Sequence, residues 1–221
     1  MSTNAQGTNL LFKLFLSITF VSLLFLVDCK RDATKDTWQV RFTHVYTSVS
    51  DYQLMAERFR NLIEHRTNGR FRLVIYPSAQ LGGERVAFEQ LQTGATQMAI
   101  SGTPVLSGWV PEGQIFDLPF AFKTRDEGLK VLNGPLGDWW REQLLQRTGV
   151  RSLGFLDYGF RHVYNSKRPI REPSDLIGLK LRVLQNPTYL TAYEAFGVQA
   201  TPMSYGEVYS ALQQGVIDGG E

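Results

Sequence analysis

Cysteine is almost absent. The 221-residue chain has one, Cys29, and a lone cysteine makes no intrachain disulfide, so the domain must be held by its apolar core. A content of 43% hydrophobic and 12% aromatic residues is ample for one. Histidine is nearly as scarce: His44, His65 and His162 are scattered, without the short-spaced pair or acidic neighbour of a zinc site, so no metal is expected. An excess of either charge is also lacking. The 23 Lys and Arg against 21 Asp and Glu leave a formal charge of +2, and no basic block interleaved with aromatics marks a nucleic-acid groove. Leu81-Gly82-Gly83 lacks the lysine and the spacing of a nucleotide cradle. No elbow motif presents a nucleophilic serine, and no repeat or low-complexity tract interrupts the chain. The expectation is a globular domain that uses no cofactor and binds no nucleic acid.

One long apolar run is present. Leu14 to Val27 follows a polar start ending in Lys13, which is the size and setting of a secretory signal core. Residues 1–29 therefore read as a signal peptide and the charged residues 30–36 as a leader. With Leu10, Leu11 and Phe12 the run approaches the ~18 residues that span a bilayer, so an uncleaved anchor is the alternative. Cys29 stands where a bacterial lipoprotein carries its lipidated cysteine, but Asp28 is not the small residue such signals place before it.

Downstream the period of the apolar residues switches back and forth. Trp38, Val40 and Phe42 alternate as a strand. Ser50 or Asp51 caps a helix carrying Leu54, Met55, Phe59, Leu62 and Ile63, and Phe71, Leu73 and Ile75 form a second strand. Leu81-Gly82-Gly83-Glu84 opens a helix that stops at Gly94, and Met98 to Ile100 is a third strand. Short connections predict that strands consecutive in sequence pair as parallel neighbours in an α/β layer. The aromatic, proline-pinned segment Phe116 to Phe122 reads as core, with a ligand wall the alternative. Helices are expected over Thr124 to Leu132 and Leu136 to Gln146, and strands over Val150 to Leu156 and Arg161 to Asn165, with Asp157-Tyr158-Gly159 a hinge between those two strands. A strand over Gly178 to Leu184, a helix over Pro187 to Phe196 and a strand over Val198 to Thr201 follow. Ser204 and Glu207 are spaced as a capping box on a helix from Tyr205 to Gln214, and Val216 to Glu221 is an apolar strand entering a glycine turn.

The charge inside this framework that asks for a partner is Arg182, set in the apolar strand Leu181-Arg182-Val183. Alternation places it on a face with Lys180 and Leu184, which leaves a solvated edge, an internal ion pair and a ligand contact all open. Arg161 has Asp157 near enough in sequence to pair with it. Glu207 reads as a cap, not as a catalytic acid. Tyr205 and Tyr209, four apart on one expected helix, read as one pocket residue and one core residue.

From about Thr37 to Glu221 the chain resembles the periplasmic substrate-binding subunits of tripartite ATP-independent periplasmic (TRAP) transporters, the DctP-like solute receptors. The motifs that carry the resemblance are Leu81-Gly82-Gly83-Glu84, Asp117-Leu118-Pro119-Phe120 and Gly178-Leu179-Lys180-Leu181-Arg182-Val183, together with the long run from Pro202 to Gly219. The resemblance implies a two-lobed α/β fold of the periplasmic-binding-protein type with a hinge. Lobe I would cover 37–158 and lobe II 159–221, with the second lobe and its return segment incomplete at Glu221. It implies a monomer in the periplasm that binds a small carboxylate solute between its lobes and delivers it to membrane subunits, with no chemistry on the solute. Residue by residue, the resemblance assigns to Arg182 the ion pair with the solute carboxylate, to Arg161 a second cationic contact and to Tyr205 an aromatic wall. Tyr46 and Glu84 are further contacts. Two alternatives stand beside this reading: a ligand-sensing ectodomain anchored by an uncleaved N-terminal helix, and an α/β hydrolase or lyase that uses Arg182 only to orient its substrate.

Overall fold

A computed structural model describes residues 37–221; the signal-peptide, leader and lipidation readings fall on residues outside it. Trp38–Glu221 form one compact unit.

The first sheet is built from β1 (Trp38–Thr43), β2 (Phe71–Tyr76) and β3 (Met98–Ala99), connected by α1 (Asp51–Arg66) and α2 (Glu84–Thr93). The helix boundaries follow their caps. Ser50 Oγ accepts from Gln53 N at 3.2 Å, and Gly94 closes α2 in the left-handed conformation. All pairings are parallel, but the order is β2-β1-β3, so β2 and β3 are not neighbours as the short connections led us to expect. Connection length fixes parallel pairing but not the side on which the next strand is added. Adding β3 beyond β1 makes β1 the central strand. The two helices cover different apolar clusters: Ala56 of α1 lies on Phe42 and Leu73, whereas Phe88 of α2 joins Leu106, Val110, Trp140 and Leu144.

That second cluster gathers α3 (Thr103–Leu106), the 3-10 turn Pro111–Asp117, and α5 (Pro135–Thr148), which follows α4 (Arg125–Leu132). The Phe116 to Phe122 segment divides. Phe116 meets Trp140 edge-on at 6.4 Å, but Phe120 is 90% exposed at a positive φ of 60°, so the segment is only partly core. No strand forms over Val150 to Leu156. Val150 and Phe155 pack against the Trp140 cluster, and among the described residues no strand pairs with this stretch. The Asp157-Tyr158-Gly159 segment is tethered: the Asp157 carboxylate takes the Gly159 amide at 2.9 Å and pairs with Arg125, and Tyr52 Oη donates to the Asp157 carbonyl at 3.2 Å.

The second sheet holds β4 (Tyr164–Asn165), β5 (Lys180–Val183), β6 (Gln199–Pro202) and β7 (Gly219–Gly220), in the order β4-β7-β5-β6. Strand β5 is parallel to β6 and β7, and β4 is antiparallel to β7. Leu179, Leu181 and Val198 make its core beneath α6 (Pro187–Ala195), with Leu176 of the 3-10 turn Pro173–Leu176. Strand β7 fits only because it is glycine: a Cβ at Gly219 would lie 1.9 Å from the Tyr164 carbonyl oxygen.

The capping box at Ser204 is absent. A 3-10 turn, Tyr205–Glu207, precedes α7 (Val208–Gln213), and the Glu207 amide bonds the Ser204 backbone carbonyl at 3.1 Å. That tight turn satisfies the amide the serine hydroxyl would have capped. It also separates the tyrosines, so Tyr205 and Tyr209 lie on successive elements and both are exposed, at 44% and 75%; Tyr209 is not core. Residues just past the carboxyl ends of β1, β3, β5 and β6 line adjoining hollows between the sheets, where open α/β sheets place their ligands.

Candidate functional site

Arg182 sits on an inner strand, opposite Thr201 of β6 and Gly220 of β7, and is only 3% exposed. The solvated-edge reading is thereby removed. Its Nε donates to the Met203 carbonyl at 2.9 Å and its Nη1 to Glu221 Oε1 at 3.3 Å. Arg161 reaches the same carboxylate, Nη1 to Oε2 at 2.8 Å, with its guanidinium 4.8 Å from the Tyr158 ring centre and 5.7 Å from that of Tyr189. Asp157 does not pair with Arg161, because it is taken by Arg125. The Glu221 side chain is fully buried, and its Oε1 also accepts the Leu184 amide at 3.1 Å. One carboxylate thus joins two guanidiniums and the end of β5. Burial alone would weaken the charge on Arg161, but Glu221 together with Tyr189 and Tyr158 leaves the guanidinium more firmly protonated than usual.

Glu221 was missed from the sequence because Asp218-Gly219-Gly220-Glu221 reads as a turn. The usable signal was charge balance: two arginines directed at one point need an anion in the protein itself, and an acid just past a parallel strand is placed to supply it.

On the opposite side, two further carboxylates bracket the loop after β3. Glu84 Oε2 accepts the Gly102 amide at 2.7 Å, and Asp117 Oδ1 accepts from Thr103 Oγ1 at 3.3 Å. Burial pushes the Glu84 carboxyl up, against the Gly102 hydrogen bond and the charges of Arg161 and Arg182. Burial likewise pushes Asp117 up to about 7, opposed by Thr103 and Arg161. Asp117 Oδ2 and Ser101 Oγ are buried without a hydrogen-bond partner among the described residues.

Aromatic rings close the site. Tyr46, just after β1, stacks on Tyr52 with centroids 4.1 Å apart, and lies 5.9 Å from Tyr158 and 6.1 Å from Tyr205. Burial, reinforced by Glu84, raises the Tyr46 hydroxyl far above its ordinary value. Tyr52 and Tyr189 are pushed up to about 12, in each case by burial first. These hydroxyls stay protonated and can donate. His44 is buried and bonded through Nε2 to Gln53 Oε1 at 2.9 Å, so it serves the loop and not the cleft.

Tyr46, Glu84 and Arg161 line a cleft of about 1640 Å³, with Asp117 and Tyr158. Arg182, Tyr205 and Ser204 line a recess of about 10 Å³ that shares Glu84 with the cleft. The structure therefore brings all five sequence-derived residues, Tyr46, Glu84, Arg161, Arg182 and Tyr205, around one centre.

Residues 42–221 match the family model described as bacterial extracellular solute-binding protein, family 7, the DctP family. The chain belongs to that family. Among its relatives, a solute-binding protein of Verminephrobacter eiseniae is 39% identical over 182 residues, which are 80% of this chain and 53% of the relative. A TRAP periplasmic solute-binding protein of Polaromonas sp. JS666, solved with D-erythronate, superposes with a TM-score of 0.79 at 36% identity, covering 83% of this chain and 60% of that one. A second, from Sulfurospirillum deleyianum with bound succinate, gives 0.80 at 32% identity over 83% of this chain and 59% of that one. The chain spans about half the length of the curated relatives it matches. As in those solved structures, the fold is two-lobed α/β.

Proposed function

We propose that this chain is an extracytoplasmic receptor for a small organic acid, which it delivers to the membrane subunits of a TRAP-type transporter. In this reading residues 1–29 export it to the periplasm, 37–158 form lobe I and 159–221 form lobe II. It works as a monomer and leaves the solute chemically unchanged.

One observation carries the proposal: two guanidiniums, Arg161 from the segment before β4 and Arg182 from β5, converge on one buried carboxylate beside the cleft. Arg161 Nε and Nη2, and Arg182 Nη2, have no hydrogen-bond partner among the described residues. Planar N–H groups of this kind match a carboxylate in a way an ammonium does not. Tyr46 and Tyr205 supply the walls, and Glu84 a hydrogen-bond acceptor. The recess at Arg182 has room for a water at most, so a solute carboxylate reaches that arginine when the Ser204-Tyr205 segment moves off it. Relatives solved with D-erythronate and with succinate support an organic acid as the cargo. Among the described residues no helix is long and apolar enough to cross a membrane.

Thermal-shift measurements against a panel of sugar acids, keto acids and dicarboxylates test the reading. At least one acid should raise the melting temperature, and Arg161→Ala should weaken its binding about tenfold or more, since a charge-assisted hydrogen bond contributes about 1.5–3 kcal/mol. Absence of any stabilising acid, or undiminished binding by Arg161→Ala, sinks the assignment.

A further inference from the structure

We propose that one end of the first sheet, where α1 finishes and β1 and β2 begin, is a docking surface for an anionic phospholipid bilayer. Charge is distributed unevenly along the chain. Residues 38–76 carry Arg41, Arg58, Arg60, Arg66, Arg70 and Arg72 against Asp51, Glu57 and Glu64, whereas residues 77–221 hold more acids than bases. Every ion pair among the described residues lies beyond residue 84, so none of those arginines is in one. Glu57 accepts from Gln53 Nε2 at 2.8 Å and Glu64 from the Leu73 amide at 3.0 Å, so two of the acids nearby in sequence are already engaged by neutral groups. Arginines left without counter-ions on one part of a nearly neutral chain create a local positive field that attracts an anionic partner.

The local fold turns part of this charge into a platform. Arg58, Leu62 and Arg66 stand four apart along the exposed side of α1. Thr67 closes the helix, its hydroxyl accepting the Phe71 amide at 3.2 Å and its carbonyl the Arg70 amide at 3.1 Å, while the Arg70 carbonyl accepts the Trp38 amide at 2.7 Å. These bonds fix the helix end and the starts of two strands to one another. Trp38 stacks on Phe71 with centroids 6.5 Å apart, yet both stay open to solvent, at 62% and 36%, as does Leu62 at 46%. Arginines interleaved with an exposed tryptophan suit a membrane interface, where the ring lies at headgroup depth and long cationic side chains reach the phosphates. Neither of the two hollows described above is lined by these residues. A surface without a recess fits a planar bilayer better than a protein partner that buries side chains in pockets. Trp38 also follows the apolar run Leu14 to Val27 by eleven residues, so in both the exported and the anchored reading this end of the domain emerges beside a bilayer.

Tryptophan emission of the full chain, titrated at low salt with vesicles of brominated phosphatidylcholine made with or without phosphatidylglycerol, tests this. Bromine quenches a ring that touches the lipid. Anionic vesicles should quench more than neutral ones, and Trp38→Phe should abolish the difference. Arg66→Glu/Arg70→Glu should raise the lipid concentration for half-quenching at least tenfold. Lys123→Glu/Lys130→Glu, an equal change of net charge at exposed positions beside and on α4, should shift it less than threefold. Each variant is checked for folding by its melting curve, and Arg58→Glu/Arg66→Glu repeats the test if Arg66→Glu/Arg70→Glu does not fold. Equal quenching by neutral vesicles, a difference that survives Trp38→Phe, or a shift matched by the lysine variant overturns the proposal. Absence of quenching by either vesicle overturns it too, and binding of the same arginines to polyglutamate would then assign the patch to an acidic protein. The test uses no solute and no residue of the solute site, so none of its outcomes bears on the organic-acid reading.

Discussion

The surroundings of Arg161 and Arg182 differ more than their common counter-ion suggests. Arg161 lies between tyrosine rings in a cleft of about 1640 Å³, with its side chain 24% exposed, whereas Arg182 faces a recess of about 10 Å³ and is 4% exposed. A single carboxylate, Glu221, serves both, so the open side and the closed side are electrostatically one unit. In the proposed receptor the open arginine would meet a solute first. The closed one is woven into the sheet through Met203 and Glu221, and its charge is as much a part of that sheet's stability as of binding.

Removing the shared carboxylate breaks the comparison most severely. Glu221→Ala leaves a deeply buried guanidinium without its anion, which costs about 3–5 kcal/mol, and urea unfolding should show a loss of that order. Arg182→Met is expected to lower stability by about 2 kcal/mol through two lost charge-assisted bonds. Arg161→Met should cost about 1 kcal/mol, because its partly exposed pair is screened by water, while reducing solute affinity at least as much as Arg182→Met. Equal stability losses in the two variants would erase the distinction between the open and closed sides.

The pH dependence sharpens it further. Asp117 titrates at about 7 in the folded chain against 3.8 ordinarily. The folded state therefore holds a proton that the unfolded chain has released, and its stabilising effect, complete below about pH 4, disappears as pH rises through 7. Chemical denaturation between pH 5 and 8 should show this decline, and Asp117→Asn should flatten it. The smallest effect is expected at Tyr52→Phe, which loses one hydrogen bond to the Asp157 carbonyl, about 1 kcal/mol, and loosens the tether of residues 157–159.

Much of this was legible because local rules and tertiary demands agree. Ser50, Gly94 and Asn186 end or begin helices where their chemistry says they should. The failures lie where packing between distant residues decides. Val150 to Leu156 has the composition of a strand, but among the described residues no other strand lies beside it to pair with. The Ser204 to Glu207 spacing signals a capping box, and a 3-10 turn pre-empts it. Within the site, Arg182 announces itself as a charge in an apolar strand. Glu221 and Asp117 do not, because a carboxylate after a glycine turn and another in an aromatic segment gain their meaning only once β7 enters the sheet and Thr103 reaches Asp117.

The meeting of Gly83 with Ser204 has a practical corollary. A methyl group at Gly83 would come within 2.8 Å of the Ser204 hydroxyl oxygen, so Gly83→Ala inserts a wedge of atomic size between the turn that begins α2 and the segment after β6. Such a variant would press on the Ser204 side chain without touching either arginine. That makes position 83 a place to disturb the contact between these two segments while leaving the charged groups intact.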